Sequence, residues 1–484
     1  MKLSNPNLYK QQCFINGKWL SAENGETSDV LNPFDNTIIG SVPKMGRSET
    51  SEAIKSAQVA FKLWKITLAG ERSLLLKKWY QLIVENIDDL ATIITTELGK
   101  PFEEAKGEVM YAASFVEWFA EEAKRAYGEI VPTHRSDSRI VTTQEPIGVV
   151  AAITPWNFPI AMITRKCAPA FAAGCTVVLK PAPETPFTAL ALAELAKQAG
   201  FPDGVLSVVT GDAIEIGKEL TENKRVKKVS FTGSTRVGKI LMQQSAASIK
   251  KLSLELGGNA PFIVFDDADL DAAVEGTMIA KFRNAGQTCV CANRIYVHDS
   301  VYDTFAQKLI ERVSKLKVGN GFEKETMIGP LINHSAVDKV KSHIEDAVSK
   351  GAEVGYGTES HPLGNNFVIP HVLLNVTDEM LVSQEETFGP VAPLFRFDSE
   401  EEVISRANDT DFGLSAYLYT ESHSRVWRVS EALEAGIVGV NQGLISTPVA
   451  PFGGVKESGL GREGSHMGLT EFMEVKYILM GGLN

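Results

Sequence analysis

A cysteine in a stretch of small residues is the first candidate for covalent chemistry in this chain. Cys289 ends the stretch 284–289 (NAGQTC), where alanine and glycine let backbone and substrate approach closely. A thiolate is a strong nucleophile, and its attack on a carbonyl carbon produces a tetrahedral alkoxide. The alternative interpretation is an inert thiol that fills a small apolar space in the core.

Cys291 follows two residues later, and a Cys-x-Cys pair also occurs in metal sites. Neither a second thiol pair nor histidines at ligand spacing accompany it, so we expect no metal ion. Five cysteines in 484 residues, without a secretory pattern, indicate a reducing compartment rather than a disulfide framework. The expected location is the cytoplasm.

Glu255 is the candidate general base. It lies in the stretch 254–259 (LELGGN), between two leucines and before a glycine pair. Burial of a carboxylate among apolar residues raises its pKa toward neutrality, which suits proton abstraction. The alternative is a carboxylate whose charge is satisfied by nearby backbone N–H groups.

Short apolar runs alternate with helical stretches after Gly148, and this alternation predicts a parallel sheet with helices on both faces. The loops that follow three of these runs place Asn157, Lys180 and the pair Gly233–Ser234 at one sheet edge, where ligands bind in such folds. Ser234 precedes a predicted helix, whose N-terminus suits a pyrophosphate. Alternatively, the glycine permits a tight turn and nothing more.

The rest of the chain predicts two further parts. Helical periodicity covers 53–64, a second helix ending at Gly99, and a third over 103–125. A second alternating series begins near Ala260. Two β-like pieces, 139–144 and 472–480, fit neither series and are expected to pair with each other or with another subunit. The literal G-x-G-x-x-G at 459–464 follows no βαβ strand, so we expect a flexible loop bordering the site.

The composition excludes several classes of protein. Hydrophobic residues make up 44% of the chain, as in ordinary globular proteins, and the net charge is −12 without a basic stripe. The longest uncharged stretch, 146–164, contains Pro155 and Pro159, which rule out a continuous membrane helix. A small-molecule partner is therefore favoured over nucleic acid or a membrane.

Five motifs, taken together, resemble those of the aldehyde dehydrogenase superfamily, in the same order along nearly the whole chain. They are WNFP at 156–159, FTGST at 231–235, LELGG at 254–258, GQTC at 286–289 and ETFGP at 386–390. Further stretches (163–166, 281–284, 289–291 and 443–446) resemble the succinate-semialdehyde dehydrogenase branch. The resemblance implies an α/β fold: a variant Rossmann cofactor domain (1–127 and 147–257), an α/β catalytic domain (258–465), and a small β oligomerisation arm (128–146 and 466–484) in a homodimer or homotetramer.

The resemblance also implies roles for individual residues. Cys289 is the implied nucleophile, Glu255 the base that activates water, and Asn157 the oxyanion donor together with the Cys289 N–H. The alkoxide expels hydride to NAD(P)+ and leaves a thioester, which water then cleaves. The implied cofactor contacts are Trp156, Asn157, Lys180, Pro183, Gly233, Ser234, Leu256, Glu386 and Phe388.

The implied substrate is succinate semialdehyde, which is oxidised to succinate. Arg165, Arg283 and Ser446 would hold its carboxylate, since arginine pairs with carboxylates through two N–H groups. An isolated arginine is more often a solvated surface residue. The alternatives are glutarate semialdehyde, one methylene longer, and a non-catalytic scaffold protein, which would have no need of Asn157, Glu255 and Cys289.

Two further features of the sequence carry predictions: a departure from the family pattern at Pro183, and a second thiol at Cys291. NAD-preferring relatives often carry a glutamate after Lys-Pro-Ala, at the position that Pro183 occupies here. Without a carboxylate to repel a 2′-phosphate, NADP is predicted to be accepted and preferred over NAD. Cys291 is a redox candidate that would form a strained, reversible disulfide with Cys289, the alternative being a small apolar filler.

Overall fold

The computed structural model describes residues 1–357, 364 and 366–483. Its helices are α1 (Arg47–Trp64), α2 (Ala69–Glu85), α3 (Ile87–Leu98), α4 (Phe102–Glu122), α5 (Pro159–Ala173), α6 (Pro186–Ala199), α7 (Ala213–Glu222), α8 (Thr235–Ser245), α9 (Leu270–Phe282), α10 (Asp299–Val313), α11 (His334–Ser349), α12 (Leu381–Gln384), α13 (Glu400–Asn408), α14 (His423–Ala432) and α15 (Ser465–Thr470).

The strands are β1 (Cys13–Ile15), β2 (Lys18–Leu20), β3 (Thr27–Leu31), β4 (Ile38–Pro43), β5 (Ile130–Val131), β6 (Arg139–Pro146), β7 (Val149–Ile153), β8 (Thr176–Lys180), β9 (Leu206–Val208), β10 (Val226–Thr232), β11 (Lys251–Glu255), β12 (Ala260–Val264), β13 (Ala292–His298), β14 (Glu353–Tyr356), β15 (His371–Leu374), β16 (Val391–Phe397), β17 (Phe412–Gly413), β18 (Ser415–Tyr419), β19 (Ile437–Val440), β20 (Val455–Lys456), β21 (Gly459–Leu460) and β22 (Met473–Met480).

The first sheet has the order β2-β1-β9-β8-β7-β10-β11-β21, and β7 to β11 pair in parallel. Strands β7 and β8 are buried along their whole length because helices cover both faces, as the continuous apolar runs predict. The carboxyl ends of β7 and β10 are adjacent. The loops after them, with Asn157 and Gly233, therefore lie side by side.

The second sheet has the order β14-β15-β16-β13-β12-β18-β19 and is parallel except at the β14–β15 edge. It encloses a separate core rich in aromatic and aliphatic residues. These two sheets confirm the predicted α/β class with two units.

The two stray β pieces pair with each other. Strands β22 and β6 form an antiparallel ladder from Met473↔Pro146 to Met480↔Arg139, and β5 adds to the other edge of β6. From Glu474 onward the residues of β22 are exposed. A long, exposed, apolar ladder of this kind offers unpaired backbone and side chains to another surface.

Two expectations about local structure are wrong. The second predicted helix does not run on to Gly99, because Asn86 (φ −107°, ψ 24°) leaves helical geometry and separates α2 from α3. Gly99 then ends α3 in the left-handed conformation, as predicted. The segment 459–464 is not a loose loop, since Gly459–Leu460 forms β21 and pairs with Leu254–Glu255 on the first sheet. Part of the range predicted for the second unit therefore belongs to the first sheet.

Among the described residues, no helix is long and apolar enough to cross a membrane. Asp269 caps the N-terminus of α9. Its side chain accepts hydrogen bonds from the N–H groups of Asp271 (3.0 Å) and Ala272 (3.1 Å). Over the part of the chain that the structure describes, no cluster of three or more His, Cys, Asp or Glu residues is placed to hold a metal ion.

Candidate active site

A cavity of about 300 Å³ lies where the ends of β7 and β10 meet the start of α8. It reaches from the first sheet to the segment that carries Cys289, so it connects the two units of the chain. Its walls include eight of the residues predicted from the sequence: Trp156, Asn157, Gly233, Ser234, Leu256, Cys289, Glu386 and Phe388.

Cys289 lies on the segment between α9 and β13. Its thiol is free and half-buried, next to the small apolar cluster of Val290, Leu414 and Phe452. Burial raises the pKa of this thiol to about 12, and the charge of Arg165 acts in the opposite direction. The resting thiol is therefore protonated near neutral pH, and its proton must be removed as it attacks.

The turn before Cys289 is strained. Asn284 and Ala285 adopt the left-handed conformation with φ of 52° and 55°, and Gly286 follows at φ 75°. A Cβ on Gly286 would lie 2.2 Å from the Gly389 carbonyl oxygen, so no larger residue fits. The Glu104 carboxylate accepts from the Asn284 N–H (3.0 and 3.3 Å) and holds this turn from α4.

Asn157 is joined to the same turn. Its side-chain Nδ2 donates to the Gln287 carbonyl oxygen (3.0 Å), and its own carbonyl accepts from Asn284 Nδ2 (3.0 Å) and Lys100 Nζ (2.9 Å). Asn157 lines the cavity together with Cys289. An amide group held in this way is a suitable hydrogen-bond donor to the alkoxide that forms when the Cys289 sulfur attacks a substrate carbonyl.

Glu255 ends β11 and is buried, and its Oε2 makes no hydrogen bond to any described residue. Burial raises the pKa of this carboxyl well above its usual value, and the charge of Glu463 adds to the effect. A raised pKa makes the deprotonated carboxylate a stronger base, which a general base requires. The structure places Glu255 in a buried position, as its flanking leucines predict, and its role as a base stays a prediction.

An unpredicted carboxylate, Glu463, organises the charges around Glu255. Glu463 Oε2 lies 2.8 Å from Arg165 Nη2, and Oε1 binds Lys166 Nζ, which also donates to Thr232 Oγ1 (2.6 Å). Burial works to raise the pKa of Glu463, but Lys166 and Arg165 outweigh it and lower that pKa. Glu463 lies in the glycine-rich stretch 459–464, for which the sequence predicted a flexible loop. Nothing in its local sequence therefore indicated a buried carboxylate paired with two cations.

The cofactor side of the cavity combines a helix N-terminus with close-packed glycines. Ser234 caps α8 by accepting from Val237 N–H (3.4 Å), and Gly233 and Ser234, just before the helix, line the cavity. A Cβ on Gly233 would lie 2.4 Å from the Phe231 ring, and one on Gly238 2.6 Å from Leu256. No larger side chain fits at either glycine, and a helix N-terminus that begins beside the cavity suits the phosphates of a dinucleotide.

Glu386 and the aromatic pair Trp156–Phe388 complete this wall. Glu386 Oε1 accepts from the Gly258 N–H (3.2 Å), and burial raises the pKa of Glu386 to about 7. The rings of Trp156 and Phe388 meet edge to face with centroids 5.6 Å apart, and Phe388 takes a left-handed φ of 55°. A free carboxylate oxygen beside an aromatic wall fits a ribose and a nicotinamide.

Lys180 and Pro183 lie farther along the same edge, outside this cavity. Lys180 is buried, and its Nζ donates to the Pro181 carbonyl oxygen (3.1 Å). Pro183 is exposed, and Glu184 beside it acts electrostatically on Lys180. The position of Pro183 therefore has no carboxylate of its own. The charged groups beside it in sequence are the buried Lys180 and Glu184, one residue later.

The three residues predicted to bind substrate are not among those that line this cavity. Arg165 is buried on α5 with its guanidinium 4.0 Å from the Phe452 ring centre, and Arg283 lies 5.1 Å from that of Phe158. Both guanidinium charges act on the Cys289 thiol. Ser446, on the loop after β19, lies beside Tyr111, a residue of α4 that sequence reasoning missed.

Cys291 is buried and reduced. Lys281 Nζ lies 3.3 Å from its Sγ and 3.2 Å from Asn293 Oδ1. Burial raises the pKa of the Cys291 thiol, and the ammonium group of Lys281 works against that rise.

Comparison with known proteins agrees with this geometry. The model of the aldehyde dehydrogenase family matches residues 19–478. The chain is 61% identical to a glutarate-semialdehyde dehydrogenase of Pseudomonas putida (99% of each chain) and 60% identical to the NADP(+) succinate-semialdehyde dehydrogenase GabD of Escherichia coli (99% of this chain, 100% of the relative). A crystal structure described as an E. coli NADP-dependent enzyme superposes with a TM-score of 0.99 at 60% identity, covering 99% of this chain and 100% of that one. The predicted resemblance is thus confirmed, and the chain belongs to the aldehyde dehydrogenase family.

Proposed function

We propose that this enzyme oxidises an aldehyde that carries a carboxylate a few carbons away, with succinate semialdehyde as the main substrate. The observation that supports the proposal is a pair of arginines, Arg165 and Arg283, beside the only half-buried cysteine of the described residues. Each has an Nε without a hydrogen-bond partner in the described part of the chain. A carboxylate would satisfy these groups, whereas an alkyl chain would leave them buried and unpaired.

The reaction would begin at Cys289. The thiol gives its proton to solvent water and its sulfur attacks the aldehyde carbon. The Asn157 amide with the Cys289 N–H stabilises the oxyanion, each such donor contributing about 3 kcal/mol. The carbon loses a hydride and becomes a thioester carbonyl on the same sulfur. Glu255, once deprotonated, takes a proton from water, and the resulting hydroxide displaces the sulfur and releases the carboxylic acid.

NADP would serve as the cofactor in the cleft bounded by Gly233, Ser234, Glu386 and Phe388. When bound, it accepts the hydride. Three features support this assignment: the capped N-terminus of α8, the glycines that leave no space for side chains, and the exposed Pro183 in place of a carboxylate. The E. coli relative is named as an NADP(+) enzyme, which supports the same preference.

The exposed ladder of β22, β6 and β5 would join copies of the chain into a homodimer or homotetramer. Val475, Tyr477, Ile478 and Leu479 present between 40% and 64% of their surface to solvent. An exposed strand with this many apolar side chains favours a protein interface. The five free cysteines suit a cytoplasmic location.

The test is a substrate and cofactor panel. Purified protein is mixed with succinic semialdehyde, glutaric semialdehyde, butanal or the methyl ester of succinic semialdehyde, each with NADP or NAD, and reduced nicotinamide is followed by its near-UV absorbance. We expect kcat/KM for succinic semialdehyde to exceed that for its ester by about 10²-fold or more, because the ester leaves the arginines unpaired. Equal turnover of acid and ester would contradict the proposed substrate class.

Glutaric semialdehyde is the second candidate, favoured by the name of the 61% identical relative. One methylene changes binding by about 1–3 kcal/mol, so the ratio of the two kcat/KM values decides between them. A clear preference for NAD would contradict the cofactor assignment and leave the substrate assignment intact.

A further inference from the structure

Tyr111 has a buried hydroxyl group with no hydrogen-bond partner among the described residues. The residue lies on α4, with its ring edge to face against Phe115 (centroids 5.0 Å apart). Buried hydroxyl groups are normally paired, because an unpaired one loses its bonds to water without replacement. An unpaired phenol therefore needs a reason to be there.

The surroundings of this hydroxyl group supply one. Arg165 from α5, Arg283 from the turn before the nucleophile and Cys289 act on the phenol through their charges, and the Ser446 side chain lies beside it without completing a hydrogen bond. Burial raises the pKa of Tyr111 while both arginines act to lower it, so the phenol keeps its proton near neutral pH. The phenol is thus a hydrogen-bond donor placed among two cations.

The unpaired atoms share one chemistry. Tyr111 Oη, Arg165 Nε and Arg283 Nε are all donors, all buried, and all without a hydrogen bond in the part of the chain described. Donors in excess around a small volume fit an anion with several lone pairs, and a carboxylate accepts about four hydrogen bonds. Helix α4 packs closely on α5, so the Tyr111 ring and Arg165 are held by the same contact between helices.

We propose that the Tyr111 hydroxyl group donates a hydrogen bond to the substrate's carboxylate and is a specificity-determining residue of this enzyme. The inference rests on the proposed function, because it requires a carboxylated aldehyde. In this role Tyr111 supplies a neutral donor between two guanidinium groups, and an aldehyde that lacks the carboxylate leaves the phenol unpaired.

The test is Tyr111→Phe, which removes one oxygen atom and keeps the ring. We expect kcat/KM for succinic semialdehyde to fall about 10- to 100-fold, the usual effect of losing a hydrogen bond to a charged group. The kcat/KM for the methyl ester of succinic semialdehyde should stay within about twofold, since the ester offers no carboxylate. Inhibition by succinate should weaken in parallel with the loss on the acid.

The melting temperature separates this role from a structural one. Because the hydroxyl group is unpaired in the free protein, its removal should leave the melting temperature unchanged or raise it. The matched control is Tyr296→Phe, which removes another buried hydroxyl group without a partner in the described residues, this one on β13 beside Arg294 and Arg406. The control should leave the preference for acid over ester at its original value.

The outcomes are distinguishable. If the unmodified enzyme does not prefer acid to ester, the proposed function is wrong and the inference fails with it. If the enzyme prefers the acid and Tyr111→Phe keeps that preference, the inference alone is wrong. A parallel loss on acid and ester together with a lowered melting temperature would show that Tyr111 is structural, which also overturns the inference.

Discussion

The two sides of Cys289 differ in how completely their polar groups are satisfied. On the cofactor side, Ser234 caps a helix and Glu386 accepts a backbone N–H. On the other side, Tyr111 and the two arginines keep donors unpaired in the described residues. The first arrangement is nearly complete without a ligand, whereas the proposed carboxylate pocket would be completed by the substrate. Such a pocket would reject ligands that lack the charge.

The largest expected effect concerns the sulfur that both sides share. Cys289→Ser should lower kcat/KM for aldehyde oxidation by roughly 10⁴-fold or more, because a serine hydroxyl without an adjacent base is a poor nucleophile. NADP binding, measured by calorimetry, should be retained, since the cofactor wall is unchanged. Cys167→Ser, at a buried thiol within α5, is the control. Substantial turnover by Cys289→Ser would exclude covalent catalysis at this position.

Glu255→Gln should act on the second half of the reaction. We expect a burst of reduced nicotinamide that approaches one equivalent per site, then a steady rate lowered by about 10²- to 10³-fold, because thioester hydrolysis loses its base. Since burial raises the pKa of Glu255, hydrolysis in the unmodified enzyme should accelerate as pH rises through that raised value. The variant should lose this rise. A loss of the burst itself would show that Glu255 acts before the thioester forms.

Substitutions of Arg165 and Arg283 should have similar effects on substrate specificity but different effects on the stability of the fold. Either substitution to Met should lower kcat/KM for succinic semialdehyde by about 10²-fold and leave the methyl ester nearly unaffected. Arg165→Met should in addition destabilise the fold by about 3 kcal/mol, since it removes a buried partner of Glu463. Arg283 has no carboxylate within ion-pair distance among the described residues, so its variant should unfold at the original denaturant concentration. Equal destabilisation of both variants would contradict the difference between them.

The contrast between the two sides of Cys289 also explains which features of the site the sequence could predict. The cofactor wall follows from local rules: an apolar run, then a loop, then a capped helix, with Gly233 and Ser234 at fixed offsets. The Asn86 break and β21 were not predictable, since a polar residue in a long helical pattern and a glycine-rich stretch both permit several conformations. Glu463 lies 297 residues from Lys166, and no local pattern marks an ion pair at that separation.

Tyr111 is another residue whose importance could not be predicted from its local sequence. On α4 it falls within an ordinary helical pattern, with Ala112 and Phe115 as buried neighbours. Its significance depends on which groups surround its hydroxyl group, and those groups come from α5, from the turn at 283–286 and from the loop after β19. The folded arrangement alone brings them together. By contrast, Cys289, Glu255 and Asn157 were recognisable because each lies in a motif that is continuous in sequence.

The smallest effect is expected at Cys291, and it appears only under oxidation. In reducing buffer Cys291→Ala should leave kcat/KM within about twofold, because the side chain is buried behind the nucleophile and replaced by one of similar size. Peroxide should first convert the half-buried Cys289 thiol to a sulfenic acid, with release of water. The Cys291 thiol, which Lys281 helps to deprotonate, then displaces a second water and forms a disulfide.

The disulfide predicts a difference in recovery rather than in inactivation. Dithiol should restore the unmodified enzyme after peroxide, because a bridge across two residues is strained and readily reduced. Cys291→Ala, with no second thiol at that position, should pass to the sulfinic acid and stay inactive. Recovery assays before and after dithiothreitol, with mass spectrometry of the 284–291 peptide, measure both products. Equal recovery of the two proteins would show that Cys291 is a small apolar filler beside the site and that oxidation of Cys289 has no built-in protection.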